Sequence, residues 1–291
     1  MRSISKQTRR GAHYSPLRRR YEIAQAWLYG NGLAAAASYA LGLQRPPRAR
    51  PVQMGFSPEL TRPLRVAFAS DFHAGPCTDP RVLSAAVDAI ARFEPHVILL
   101  GGDFVSHHHG HIDTLVPLLA RLRAPCGIYA VPGNHDLWTD DRAIAAALES
   151  AGVRVLVNDN VPLPAPFDRI WVCGLDDPGT GSPDAARALH GAAGARLLLM
   201  HSPIGLKHVE PDAFDLALCG HTHGGQVALP GGRPVVLPHG RHNRDYPHGL
   251  YELGGERNAR ILVSKGVGCS DIPIRLFAAG EIHRITLFPP G

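Results

Sequence analysis

The sequence predicts an α/β fold in a single domain, with two sheets packed together. Three observations predict it. From residue 64 onward, short apolar runs bounded by turn residues alternate with helix-like stretches, the pattern of a sheet buried on both faces. The last third of the chain carries strand-like runs with no helix between them, which points to a second, more antiparallel sheet packed on the first. Five apolar runs end in side chains able to hold a metal, and in open α/β sheets ligands bind outside the carboxyl ends of the strands.

The elements follow in order. Residues 64–69 form the first run and end in Ser70-Asp71, and 81–93 read as a helix. A second run, 96–100, ends in Gly101-Gly102-Asp103. Helix-like 112–122 precedes a third run, 127–131, which ends in Pro132-Gly133-Asn134-His135-Asp136. A helix over 141–151 leads to strands at 153–157 and 170–175. The run 196–200 ends in His201-Ser202-Pro203, and 216–219 ends in Gly220-His221-Thr222-His223. Further strands are predicted at 235–237, 250–253, 259–263 and 282–287.

The chain has 291 residues, 45% hydrophobic and 19% charged, enough for a substantial core in one domain. Its net charge of +5 is unevenly spread. Residues 1–50 hold nine Arg and one Lys against the single acid Glu22, a balance of +9 that leaves −4 for residues 51–291. A basic arm thus precedes a mildly acidic globular body. Such an arm suits an anionic membrane surface. Nucleic acid is a poorer match, because the body lacks interleaved basic and aromatic residues. Five Cys stand at wide, unequal intervals with no Cys-x-x-Cys pair, which argues against a disulfide framework or a thiolate metal site and fits a reducing compartment.

Within the arm, residues 23–43 are mostly apolar with Arg on both sides, but Gly30-Asn31-Gly32 interrupts them. Three readings stay open: a helix lying in a membrane interface, a helix packed on the body, and a span or export signal. Residues 45–51, rich in Arg and Pro, read as a stiff linker.

The strand ends carry the chemistry. Asp71 and His73 stand two residues apart, on one side of an extended segment. Asp103 follows two glycines that permit a tight turn. Gly133-Asn134-His135-Asp136 offers an amide oxygen, an imidazole and a carboxylate on one turn, and Gly220-His221-Thr222-His223 adds two imidazoles. Nitrogen and oxygen donors without sulfur suit Mn, Fe, Zn or Ni rather than a calcium loop or thiolate cluster.

With Asp-x-His, Gly-Asp, Gly-Asn-His-Asp, a strand-end His and Gly-His-x-His in that order, the sequence closely resembles the calcineurin-like metallophosphoesterases, over about residues 64–288. The resemblance implies a four-layer fold, a two-sheet sandwich flanked by helices. It also implies two divalent cations. Asp71, His73 and His223 would hold one, Asn134, His201 and His221 the other, and Asp103 would bridge them. The implied reaction is attack on phosphorus by a metal-activated hydroxide. His135 would face the phosphate as a catalytic group, with Asp136 orienting it.

Two further stretches, Gly220 to Pro230 and Val263-Ser264-Lys265-Gly266-Val267-Gly268 with Pro273-Ile274-Arg275-Leu276-Phe277, resemble one bacterial branch of that family. The branch includes membrane-associated phosphodiesterases and the UDP-2,3-diacylglucosamine pyrophosphatases of lipid A synthesis. It implies a phosphodiester or pyrophosphate substrate such as a UDP-linked lipid A precursor, at the cytoplasmic face of the inner membrane, with export as the alternative. Arg is frequent in that branch where Lys265 stands here. Lys265, Arg275 and His107 are candidate substrate contacts, Lys265 and Arg275 being equally readable as structural ion pairs. The cluster His107-His108-His109-Gly110-His111, at the rim of the pocket, reads as a solvated loop or as a site for an extra metal or the substrate's phosphates, and His239, His242 and His248 as part of a substrate wall. The competing functions are a soluble nucleotide phosphodiesterase or protein phosphatase, and a noncatalytic scaffold of the same fold. Exposed apolar residues around the mouth would favour a lipid substrate; a closed, basic, aromatic-lined pocket would favour a nucleotide.

Overall fold

A computed structural model describes residues 16–290. In chain order its strands are β1 (Arg48–Gly55), β2 (Leu64–Ala69), β3 (Val97–Leu100), β4 (Ile128–Ala130), β5 (Arg154–Val155) and β6 (Asp159–Pro162). They continue as β7 (Ile170–Gly174), β8 (Ala195–Leu199), β9 (Leu216–Cys219), β10 (Gly249–Gly254), β11 (Ala259–Val263) and β12 (Glu281–Phe288). The helices are α1 (Pro16–Tyr29), α2 (Leu33–Ala40), α3 (Pro80–Ala91), α4 (Ile112–Leu119), α5 (Asn134–Trp138), α6 (Asp141–Ser150), α7 (Ala185–Ala188) and α8 (Arg241–Asp245).

Two mixed sheets of six strands result, ordered β1-β12-β2-β3-β4-β5 and β10-β11-β9-β8-β7-β6. The middle of each is parallel: β2 through β5 in the first, and β7, β8, β9 and β11 in the second. Alternation along the strands builds the layers, because successive side chains point to opposite faces. Val66, Phe68, Val97 and Leu99 meet Val172, Leu197, Leu199 and Leu218 between the sheets. Ala67, Ala69, Ile98 and Leu100 face outward under α3, α4 and α6. Leu198, Ala217 and Ile261 pack on the other outer side with Ala188 of α7. Each fully buried aliphatic or aromatic side chain of this kind contributes about 1.5–3 kcal/mol. Helix α3 starts where Asp79 accepts from the Arg81 amide and Pro80 occupies the first turn, a combination that satisfies an orphan donor and presets the backbone.

The structure differs from the sequence reading in three places. Residues 48–51, expected as part of a linker, open β1 instead, which pairs in parallel with β12 at the sheet edge. Its edge position tolerates Pro51, whose missing amide is needed only by an inner strand. Strand β12 returns to the first sheet between β1 and β2, whereas β6 to β9 belong to the second, so the second sheet is not built from the C-terminal third alone. Local alternation marks a strand as buried without naming its partner sheet. Residues 235–237 form no strand; Val235 and Val236 lie exposed in a loop between Pro234 and Pro238, whose rings deny the backbone two ladder donors.

Glu281, buried at the start of β12, accepts from the Lys265 amide (3.0 Å) and Arg50 Nε (3.3 Å) and faces His283 Nε2 at 3.4 Å. Burial pushes its carboxyl up, but His283 and the Lys265 amide outweigh this and hold it at about 2. A depressed carboxyl stabilises the fold above its unfolded value and loses that contribution as pH falls toward its folded value. Glu281→Gln should therefore narrow the stability difference from the parent between pH 4.5 and about 2, as read by urea unfolding across that range. A difference that does not change with pH would contradict this.

Candidate metal centre

The parallel strands of both sheets direct their carboxyl ends to one place. Asp71 and His73 follow β2, Asp103 follows β3 and Asn134 follows β4, all in the first sheet. His201 follows β8, and His221 and His223 follow β9, in the second. Five of these seven residues adopt left-handed backbone: Asp71 (φ 54°), His73 (44°), Asp103 (53°), His221 (71°) and His223 (53°). Such conformations cost about 1–3 kcal/mol each and persist only where the surroundings over-determine them. Here they are pinned by backbone bonds between loops: Asp71 N donates to Gly102 O (2.9 Å), His73 N to Asp103 O (3.0 Å) and Gly268 N to Asp71 O (2.8 Å). Two glycines make room. A Cβ on Gly133 would collide with the Asp103 carboxylate, and one on Gly220 with that of Asp71.

The donor atoms of these seven residues fall into two groups sharing one oxygen, and the His135 ring forms a further set with His73 and Asp103, its donors within 4.8 Å of one another. In the first, His73 Nε2 lies 3.0 Å from His223 Nε2, which is 3.6 Å from Asp71 Oδ1. In the second, His201 Nε2 lies 3.0 Å from Asn134 Oδ1 and 3.1 Å from His221 Nδ1. Asp103 Oδ2 stands between them, 3.5 Å from His73 Nε2 and 3.3 Å from His201 Nε2. Partners behind the rings fix their faces. His201 Nδ1 donates to Gly101 O (2.8 Å), which leaves its Nε2 lone pair for the centre, and His73 Nδ1 meets Ser106 Oγ (2.8 Å).

Burial sets the charge states. It pushes the carboxyl of Asp71 up to about 6 and those of Asp136 and Asp177 to about 8 and 6, with the Asp103 charge adding to each. It lowers His73 to about 4 and, together with His201, His221 to about 3, so these rings present lone pairs rather than protons. Burial opposes a proton on His201, but Asp103, Asp71 and Asp177 outweigh it and raise that ring well above the ordinary imidazole value. Buried carboxyl groups crowded around imidazoles and an amide oxygen form a cavity rich in acceptors, which divalent cations satisfy. The residues present fit two cations.

His135 stands beside the shared carboxylate, its amide donating to Asp103 Oδ1 (2.8 Å) and its ring 4.7 Å edge-on from His73. Trp138, one turn along α5, packs at 4.9 Å on its other side. Asp136 has a task other than the expected orientation of the His135 ring. Its carboxylate accepts from the amides of Gly133 (2.9 Å), Phe104 (2.9 Å) and Val105 (3.3 Å), and so clamps the turn after β4 to the loop after β3.

The candidate substrate contacts separate. Lys265 is half-buried, its stem against Gly224 beside the His248 ring. His107 Nε2 meets Gln25 Oε1 (3.1 Å) at the rim. Arg275 lies behind the centre: buried, it stands 3.0 Å from His223 Nδ1 and donates to the carbonyls of Gly268, Lys265 and Ala278, so it meets carbonyls and an imidazole rather than a carboxylate. Beyond His107, His108 stacks on His109 and meets His111 edge-on. His242 stacks on Tyr246, and Asn243 ties His239 O to Ser202.

The family description for calcineurin-like phosphoesterases matches residues 64–225. The chain belongs to that family. It is therefore a metal-dependent phosphoester hydrolase of a family that uses two metals. It is 30% identical over 230 residues to YkuE of Bacillus subtilis, named an uncharacterized metallophosphoesterase, covering 77% of this chain and 79% of that one. It is 31% identical to the phosphodiesterase YaeI of Escherichia coli, covering 81% and 86%. A Danio rerio protein named as a transmembrane protein with a metallophosphoesterase domain is 30% identical; there the match covers 87% of this chain but only 60% of the relative.

Three participants in this phosphoesterase centre escaped the sequence reading. Ser106 supports His73. Asp177 is buried, accepts from Thr180 N and Gly179 N, and adds negative charge near His201. The Gly101 carbonyl orients His201. The sequence signal for Asp177 was present, since Asp176-Asp177 follows a strand end just as the other carboxylates do. Backbone and hydroxyl partners leave no such mark.

Proposed function

We propose that this phosphoesterase cleaves a phosphodiester or pyrophosphate whose one side carries lipid, a UDP-linked lipid A precursor being the fitting example, at the cytoplasmic face of the inner membrane. The observation that carries the lipid side is the apolar surface beside the centre. The loop that leaves His223 through Gly225 and Gln226 exposes Leu229 (51%) and Val235 (56%), and Val236 O lies against Gly225. A water-soluble nucleotide gains nothing from such a surface. Likeness to a protein named phosphodiesterase favours a diester over a monoester. No described helix is long and apolar enough to cross a membrane, which agrees with a peripheral position.

In this reading Asp71, His73 and His223 hold one cation, Asn134, His201 and His221 the other, and Asp103 both. Two divalent ions, among Mn, Fe, Zn and Ni, supply Lewis acidity and an activated water when bound. His135 meets the phosphate from outside the cage and hands a proton to the departing oxygen. Trp138 and the Asp103–His135 amide bond hold its ring there. Lys265, at the mouth, meets phosphate charge, and His107 lines the rim.

Full-length protein loaded with Mn should hydrolyse bis-p-nitrophenyl phosphate faster than p-nitrophenyl phosphate, and UDP-2,3-diacylglucosamine faster than UDP-N-acetylglucosamine. Chelation should abolish all turnover and Mn should restore it. A preference for monoester or for the unacylated nucleotide sugar would overturn the substrate assignment; turnover that survives chelation would overturn the metal assignment.

A further inference from the structure

We infer that the enzyme docks on an anionic lipid bilayer through one composite face. The helices α1 and α2 and the loops 226–237 and 270–278 form it together, at the rim of the metal centre. The inference deepens the peripheral, lipid-linked reading above and rests on it.

Helix α1 is inside out. Its polar Glu22 and Gln25 are buried (6% and 5% exposed), whereas Leu17, Trp27 and Leu28 stand outside at 77%, 86% and 58%. A helix on a water-facing protein surface turns its apolar stripe to the core; the reverse order calls for an apolar medium outside. The inner side of α1 is bonded to the rim. Gln25 reaches His107, on the loop that carries Asp103, and donates to Asp271 O. After α2, Gln44 donates to Pro273 O (2.8 Å) and Cys77 O (2.9 Å), and Leu43 O accepts from Arg275 N (2.8 Å).

The segment 271–277 is held from its other side by the second loop. Gln226 donates to Ile272 O (2.8 Å), Ala228 N to Leu276 O (2.8 Å), and Val227 bridges to Leu276. The helical pair, the segment and the loop are therefore neighbours in that order. Phe277, with left-handed backbone (φ 53°), is 63% exposed, and Val236 is 71% exposed. Among the described residues, eleven of thirteen exposed large hydrophobics belong to residues 17–41 or to these two loops, leaving only Leu250 and Phe288 elsewhere. A concentration of that kind marks an interaction surface rather than ordinary scatter.

Charge selects the partner. The arm that supplies the helical pair carries +9 within residues 1–50, against −4 for the rest. Arg beside Trp and Leu on a helix of 14 residues, about 21 Å long, suits the plane of an anionic interface and is too short to span it. The docked face sets the metal centre at the lipid–water boundary, where a headgroup phosphate lies within reach.

The test is flotation of the metal-loaded full chain with vesicles of phosphatidylcholine, alone or mixed with phosphatidylglycerol. Two variants are compared with wild type: Trp27→Ser with Leu28→Ser on α1, and Val236→Ser with Phe277→Ser on the loops. Wild type should float with the anionic vesicles only, and each double variant should lose at least about tenfold in partitioning. Turnover of soluble bis-p-nitrophenyl phosphate should be unchanged and serves as the check on folding. Wild type that stays unbound, or a loop variant that floats like wild type, overturns the composite face. So does sedimentation showing that the variants dissolve a dimer of a protein that ignores vesicles, since a second copy would then cover the patch. Flotation as expected without preference for the acylated nucleotide sugar supports the face while removing the lipid-linked substrate.

Discussion

Asp103→Asn protein should retain at most one of the two cations and lose about 10²–10³-fold or more in diester turnover, the scale on which a charge-stabilising group acts. The substitution is nearly isosteric. An amide oxygen can still accept from the His135 amide, so α5 keeps its place. What disappears is the negative charge 3.3 Å from His201 Nε2 and 3.5 Å from His73 Nε2, the one charge that both donor groups share. Metal analysis after desalting, beside kcat on bis-p-nitrophenyl phosphate, measures it. Retention of both ions at full occupancy would show that Asp103 does not bridge.

His135→Ala should have the opposite signature: both cations present and turnover down by about 10²–10⁴-fold. The ring meets the edge of His73 and packs on Trp138, so deleting it opens space at the mouth and leaves the cage donors in position. The loss should fall on kcat with esters of poor leaving groups and shrink for p-nitrophenolate, which departs without help from an acid. Loss of metal would make His135 a ligand. An equal loss for good and poor leaving groups would remove the proton-transfer role and leave contact with the phosphate.

Much of this centre was legible because ligand chemistry and strand ends coincide in the sequence. Asp71, Asp103, Asn134, His201 and His221 each follow an apolar run, and the structure brings those ends together. The division of the strands between two sheets was not legible. The runs at 97–100 and 216–219 are alike in length and apolarity, yet one joins β2 and the other β8. Strand β1 was hidden by composition. Its Arg and Pro suit an exposed edge paired on one side, and they read equally well as linker. Arg275 and Asp136 were visible as charged residues near a motif, but their work is done on backbone groups and an imidazole. Only coordinates show such partners.

The cage straddles the sandwich. Asp71, His73, Asp103 and Asn134 belong to one sheet and His201, His221 and His223 to the other, and each group of donors draws on both. With cations held as proposed, each would act as a rivet between layers whose shared core is apolar. A ligand that binds only the closed arrangement stabilises it by mass action, by about 2.7 kcal/mol at a hundredfold excess over its dissociation constant. Amide exchange should report this directly. Stripping the ions should accelerate exchange together at the carboxyl ends of β2, β3, β8 and β9, in both layers at once, while strands remote from the centre keep their protection.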